Sequence, residues 1–410
     1  MKSGQCQFGQ LTVRGFRRLR AVEVHLRPFT VLLGANGVGK TSFLDLWAML
    51  AESASGRLHS FLSARGGLGE LITREPSGQP RRDAATLQVC LSIVPAGGVP
   101  RDYLLELMPT GGSYEIVDER LAAAAGWEPP GDGRIRSARS TTRQEGLHDV
   151  LITLENGRLR YYDENEGRLV EPTWDHNPRE TALAQTPRTF REAESCREGL
   201  ASFTYYGPLD VRPQALVRGP QPISPAVLPG ANGEDLVACL YTMRENEPER
   251  FEMVEDGLQA AFPDFERLLF PPVAAGTLSM TWKDKRFTRP MYTNQLSEGT
   301  LRYLWLTTLL SSGHLPAVTL IDEPEVSLHP ELLAQLAELM REASRRTQLI
   351  VATHADRLVR FLEPKEVLVC DLEDGEAKLR WADSLDLERW MKDYTLDEVW
   401  RLGQLGGRAL

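Results

Sequence analysis

The segment Gly34-Ala35-Asn36-Gly37-Val38-Gly39-Lys40-Thr41 fits the pattern GxxxxGK[ST], and each part of that pattern has a physical task. Glycines let consecutive backbone N–H groups turn inward around an anion, and the positive end of a following helix adds to the attraction. Lys40 is one of only seven lysines in the chain, and at this position its ammonium reaches the β- and γ-phosphates of a nucleotide. The Thr41 hydroxyl is a ligand for Mg²⁺, and Ser42 completes the run of candidate nucleotide-binding residues that begins at Gly34. The pattern is informative only after an apolar strand and before a helix. Both are written here: Phe29, Val31, Leu32 and Leu33 precede it, while Phe43, Leu44, Trp47 and Leu50 recur behind it at helical spacing.

A second group lies far along the chain, where the apolar run Ala317-Val318-Thr319-Leu320-Ile321 ends in Asp322-Glu323-Pro324. Two adjacent carboxylates at a strand end are, by themselves, most often a solvated loop. Beside a phosphate loop they acquire roles: Asp322 holds Mg²⁺, through water, and Glu323 points at the water that attacks the γ-phosphate. Such a site needs both motifs on one sheet. The chain between them therefore reads as excursions from a single nucleotide-binding core.

Leu296-Ser297-Glu298-Gly299-Thr300 opens an apolar helix containing Leu301, Leu304, Trp305 and Leu309. In isolation Ser297 is a helix N-cap. Set between the phosphate loop and the carboxylate pair, the segment resembles the LSGGQ-type signature of ABC-type ATPases, with Glu298 and Thr300 at variant positions. The resemblance implies that Ser297 and Gly299 contact the γ-phosphate of ATP held by a second protomer, so that a homodimer closes around two ATP molecules. It also implies a D-loop at Ser327-Leu328-His329-Pro330 and a switch histidine at His354, which makes Lys40, Glu323 and His354 the catalytic set. Gln185, in Ala182-Leu183-Ala184-Gln185, is the candidate Q-loop glutamine. Leu11 to Leu19, Gly34-Ala35-Asn36-Gly37, Ile321 to Glu325 and Leu328-His329-Pro330 are similar to RecF, SMC and OLD-like ATPases rather than transporter subunits. The closing Leu396-Asp397-Glu398-Val399-Trp400, with Gly403 and Leu405-Gly406-Gly407, resembles a stand-alone OLD-like AAA branch. The expectation is a head without an SMC-type coiled-coil arm and without a Toprim nuclease domain.

The elements that must position these residues follow from periodicity. Strand and helix alternate in the last third: helix 297–311, strand 317–321, helix 330–343, strand 348–352, helix 356–362 and strand 366–371, a pattern that means a parallel sheet covered on both faces. Alternation near Val22, Leu87, Tyr103, Ile152 and Leu159 predicts antiparallel strands in the first part. Residues 126–147 carry Pro, Gly and charge without an apolar period and are expected to be a mobile loop; 234–262 reads as a helical insertion. The fold class is thus α/β, an ABC-type P-loop head with a mixed or parallel sheet, a β-rich N-terminal lobe and a helical insert. Boundaries are expected at 1–190, 191–295 and 296–410.

Composition narrows the function classes. Apolar residues at 42% and charged residues at 25% are ordinary for globular chains and exclude disorder and fibrous repeats. No apolar run approaches the roughly 18 residues of a spanning helix, and the N-terminus lacks a secretory apolar stretch, so a cytoplasmic location off the membrane is expected. Five scattered cysteines write neither a zinc site nor a redox pair. A net charge of −10 disfavours a general polyanion-binding surface, although clusters at Arg17, Arg18 and Arg20 and at Arg341, Arg345 and Arg346 offer local contacts to DNA phosphate. Three readings stay open: an ATPase gating repair or anti-phage defence with a separate nuclease or effector, a slow regulatory module that holds or releases an effector, and a transporter motor.

Overall fold

β1 (Gln7–Phe16) and β2 (Leu19–His25) pair antiparallel around a tight turn in which Arg17 takes a φ of 46°. β3 (Phe29–Leu33), buried at all five positions, runs into the glycine loop and α1 (Lys40–Ala54), and α2 (Leu58–Ala64) and α3 (Leu68–Leu71) follow. The antiparallel strands come next: β4 (Leu87–Val94), β5 (Arg101–Thr110), β6 (Ser113–Ala123), β7 (Val150–Glu155), β8 (Arg158–Asp163) and β9 (Arg168–Val170). They form one eight-stranded sheet in the order β2-β1-β4-β5-β6-β7-β8-β9. The sequence pattern passes over β6, because its charged run Asp118-Glu119-Arg120 breaks the alternation and the ladder to β5 shifts register at Glu106/Leu107. This computed structural model describes residues 6–73, 86–124, 150–155, 157–163, 166–373, 375–387 and 389–406, so the expected loop 126–147 lies outside the described residues.

Beyond α4 (Arg191–Ala201) the chain enters β10 (Phe203–Tyr206) and, after the two-residue β11 (Gln221–Pro222), a helical pair, α5 (Leu236–Asn246) and α6 (Pro248–Ala261). The helical signal across 234–262 is divided at Glu247 because Pro248 lacks the N–H that a continuous helix needs there and instead starts the second one. Five short strands follow: β12 (Phe265–Leu269), β13 (Pro272–Ala274), β14 (Thr277–Leu278), β15 (Thr281–Asp284) and β16 (Met291–Tyr292). With β11 they build two three-stranded sheets, β11-β14-β13 and β12-β15-β16, which no periodicity announced.

The last third runs α7 (Glu298–Ser311), β17 (Val318–Asp322), α8 (Leu333–Ala343), β18 (Gln348–Thr353), α9 (Asp356–Val359), β19 (Val367–Glu373), β20 (Glu376–Trp381) and α10 (Leu396–Arg401). A six-stranded sheet, β10-β17-β18-β3-β19-β20, joins these strands to β3 and β10; only the edge strand β20 is antiparallel to its neighbour. β10 therefore belongs to this sheet although it lies within the span 191–295.

Residues along each central strand divide between two cores. Val31, Leu33, Ile321, Leu349, Val351 and Val367 pack with α5 to α8 on one face. Leu32, Val318, Leu320, Ile350, Ala352 and Leu368 pack with α1, α4 and the eight-stranded sheet on the other. Burial on both faces is why these strands read as continuous apolar runs. Among the described residues no helix is long and apolar enough to cross a membrane.

Candidate active site

The site lies where the parallel strands end. β3 pairs in register with β18, Leu33 opposite Thr353, and β18 pairs with β17, Ala352 opposite Asp322. The carboxyl ends of the three strands are therefore level, which is where open α/β sheets hold ligands. Backbone shape forms the loop after β3. Gly37 and Gly39 have φ of 79° and 119°, in the left-handed range open to glycine, and a Cβ on Gly34 would stand 2.3 Å from the Cys370 carbonyl oxygen. Lys40 begins α1 and is 7% exposed. Its ammonium donates to the Gly34 and Ala35 carbonyls at 2.7 and 2.8 Å, so it lies back across its own loop. Burial lowers its pKa, while Cys370, Asp322, Glu323 and Glu325 pull it upward. Asn36 and Thr41 are exposed, Val38 and Ser42 buried.

Asp322 terminates β17 and accepts a hydrogen bond from the Tyr205 hydroxyl at 3.2 Å. Burial first, and the Glu323 charge second, raise its carboxyl above the usual range. Glu323 leaves the strand in a left-handed conformation, φ 51°, which for a non-glycine residue is uncommon. Two bonds hold it there: its N–H donates to the Ala352 carbonyl at 2.8 Å, and its Oε1 lies 2.8 Å from His354 Nδ1. Glu323 and His354, apart in sequence, thus touch. A carboxylate paired with an imidazole beside the phosphate loop has the composition of a proton acceptor with an orienting partner.

Sequence reasoning missed two members of this cluster. Tyr205 was invisible because β10 carries no motif; only its placement beside β17 brings its ring to Asp322. Glu325 is buried, with Oε1 accepting the Thr353 hydroxyl at 2.5 Å. The adjacent Asp-Glu-Pro-Glu run was the available signal.

Ser297 is exposed at the N-terminus of α7, where its Oγ accepts the Thr300 N–H at 3.1 Å. It caps the helix, and its exposure leaves it accessible from outside the chain. Gly299 lies against the left-handed turn at Ser327 (φ 62°), and a Cβ there would stand 2.6 Å from the Ser327 carbonyl oxygen. The Ser297–Gly299 segment and the Ser327 turn are hence packed together.

Gln185 is not among the gathered side chains. Its amide donates to the carbonyls of Asn177, Glu180 and Thr181 and accepts from the Asn177 N–H, so it is engaged in folding its own loop. The strand that flanks β17 begins at Phe203, after Gln185 rather than before it. The basic clusters are also committed. Arg17 pairs with Asp45 and Arg20 with Glu376; Arg341 is bound by Glu338 and Glu366, and Arg345 and Arg346 by Glu342.

Over residues 166–360 the sequence matches the family model described as "AAA domain, putative AbiEii toxin, Type IV TA system". No curated protein sequence matches the chain. The structure is similar to an SMC head bound to the C-winged helix domain of ScpA, at 15% identity and a TM-score of 0.50, over 91% of this chain and 97% of that one. An SMC head with an extended coiled coil bound to the C-terminal domain of ScpA, derived from Pyrococcus furiosus, has 14% identity and a TM-score of 0.49, over 95% and 98%. The SMC head domain from Thermotoga maritima has 12% identity and a TM-score of 0.45, over 91% and 98%. The chain has an α/β fold similar to that of an SMC head.

Proposed function

We propose that this chain binds ATP with Mg²⁺ and hydrolyses it, two copies closing head to head so that the Ser297 segment of each completes the site of the other. The observation that carries this is the level row of strand ends that puts the Lys40 loop, Asp322, Glu323 and His354 at one edge of one sheet. The residues fit the nucleotide: Gly37 and Gly39 bend the loop through left-handed backbone, and the Lys40 ammonium already binds oxygen there. Thr41 and Asp322 are hard oxygen donors suited to Mg²⁺. When bound, the cation supplies charge neutralisation between the β- and γ-phosphates. Glu323 accepts the proton of the attacking water, His354 holds the Glu323 carboxylate in place, and Lys40 moves from its own carbonyls to phosphate oxygens.

The process served is the gating of an effector in DNA repair or anti-phage defence, within a stand-alone OLD-like branch in the cytoplasm. The matching family description, which names a toxin of a type IV TA system, supports an effector setting, and the SMC heads bound to ScpA support a partner. A second reading, a regulatory module with slow turnover, is favoured by one contact. In that reading the Glu323–His354 contact holds the carboxylate back, and turnover follows only its release.

Glu323→Gln tests the proposal, because it keeps the side chain's size while removing its basicity. The expected result is ATP binding without turnover and accumulation of a dimer with ATP and Mg²⁺ by light scattering. Parent-level hydrolysis in this variant would remove Glu323 from the mechanism.

A further inference from the structure

Three bonds tie the turn after β17 to the end of β18. The first two, the Glu323 N–H donating to the Ala352 carbonyl and the close contact of Glu323 Oε1 with His354 Nδ1, involve the proposed base itself. The third is different, because it joins residues to which no step has been assigned. Glu325 Oε1 accepts the Thr353 hydroxyl at 2.5 Å, and the same Thr353 oxygen accepts the Ala355 N–H at 3.0 Å. The bridge therefore brackets His354: it holds the residue before it by the side chain and the residue after it by the backbone.

Glu325 is an expensive side chain to place there. It is 9% exposed, its Oε2 is buried without a hydrogen-bond partner among the described residues, and an unsatisfied buried polar atom costs stability. Burial also raises its carboxyl above the usual range, with the Thr353 hydroxyl pulling the other way. An apolar side chain would fill the same space without that cost, so the acceptor oxygen itself is what the position requires.

We infer that Glu325 is a positioning residue, which through Thr353 fixes the approach of His354 to Glu323 and so sets the rate of the reaction without contacting substrate. The inference rests on the ATPase reading above. The Glu323 turn supplies the physical reason. A left-handed glutamate is not held by its own preference, and its side chain keeps its direction only while the strand end opposite stays in place. Misplacing a catalytic group by about 1 Å costs on the order of 100-fold in rate.

The test compares Glu325→Val, Thr353→Val, the double variant and Glu325→Gln with the parent, in steady-state ATP hydrolysis and in the melting-temperature rise given by ATP and Mg²⁺. Each valine variant is expected to lose about 10–100-fold in kcat, with KM for ATP within about threefold of the parent. The double variant is expected to be no slower than the slower single one, since both remove one interaction. Glu325→Gln keeps an acceptor for Thr353 and should retain kcat within about threefold. Losses that multiply in the double variant, or a glutamine variant as slow as valine, overturn the inference, as does an unchanged kcat in both valine variants. Thr353→Ser, which keeps the hydroxyl, separates loss of the bond from poor folding: it must match the parent. A parent chain without Glu323-dependent turnover would overturn the ATPase reading and this inference with it; parent turnover with indifferent variants overturns this inference alone.

Discussion

In the proposed function, phosphate oxygens replace the hydrogen bonds that Lys40 makes to Gly34 and Ala35; burial lowers the ammonium's pKa, while Cys370 and three nearby carboxylates pull it upward. Removing the ammonium takes a charge from the loop without touching either apolar core. Lys40→Ala should therefore fold normally but lose the stabilisation that ATP gives the parent, a term of about 2.7 kcal/mol at 100 times the dissociation constant. Differential scanning fluorimetry with and without ATP reads this; an undiminished rise would overturn the phosphate-loop assignment. At this scale the sequence was legible where the chemistry is contiguous. Gly34 to Ser42 and Asp322-Glu323 are contiguous runs at strand ends, and the pairing of β3, β18 and β17 brings them to one edge as expected. Tyr205 and Glu325 were not legible as members of the site, since one depends on strand neighbourhood and the other on a hydroxyl presented by β18. Gln185 was misleading for the converse reason: a glutamine in a loop satisfies nearby carbonyls as readily as a distant ligand.

Elements place these residues, and two joints between elements are open to test. The first is the N-terminus of α7. Ser297→Arg adds a long cation where the neighbour's phosphate is proposed to approach, so each monomer should still bind ATP while dimer closure and turnover are lost. Hydrolysis at the parent rate would leave Ser297 as a helix cap and nothing more. The second joint is Glu119 on β6, fully buried, whose carboxylate accepts the N–H groups of Ala182 and Leu183 at 2.6 and 2.8 Å and the Tyr103 hydroxyl at 3.1 Å. Burial pushes its carboxyl up to about 7, against the pull of these donors. A raised carboxyl binds its proton more tightly in the folded chain, so its contribution is full below the unfolded value near 4.5 and is lost as pH rises through about 7. Chemical denaturation should accordingly show stability declining from pH 5 to 8. Glu119→Gln should remove that slope and, by facing its NH₂ to an N–H, cost about 1–3 kcal/mol. A slope retained in the variant would assign the pH dependence elsewhere. β6 itself escaped periodicity because this buried Glu119, with Asp118 and Arg120 beside it, interrupts the apolar alternation by which strands are recognised.

For the whole molecule, the class of fold was readable because the last third alternates strand and helix with both faces buried, whereas the two small sheets around β12 to β16 were not, being too short to show a period. Purified protein given Mg²⁺ or Mn²⁺ and ATP is expected to leave linear, nicked and single-stranded DNA intact, since two-metal nucleases need converging carboxylates and those placed together here, Asp322, Glu323 and Glu325, stand beside Lys40. Cleavage abolished by a point mutation in this chain would reveal a second active site.

Sheet order has a further consequence, during synthesis. β3, which carries the phosphate loop, lies between β18 and β19, and both of its neighbours are encoded roughly 300 residues later. At about 5–20 residues per second, the ribosome makes β3 and then takes some 15–60 s to deliver its first partner. Until then the four apolar residues of β3 and the helix behind them have no sheet to join, and a nascent chain stalled before Gln348 should be captured by chaperones and cut readily by protease near Lys40. The loop after β3 is thus made early and gains the sheet that supports it late.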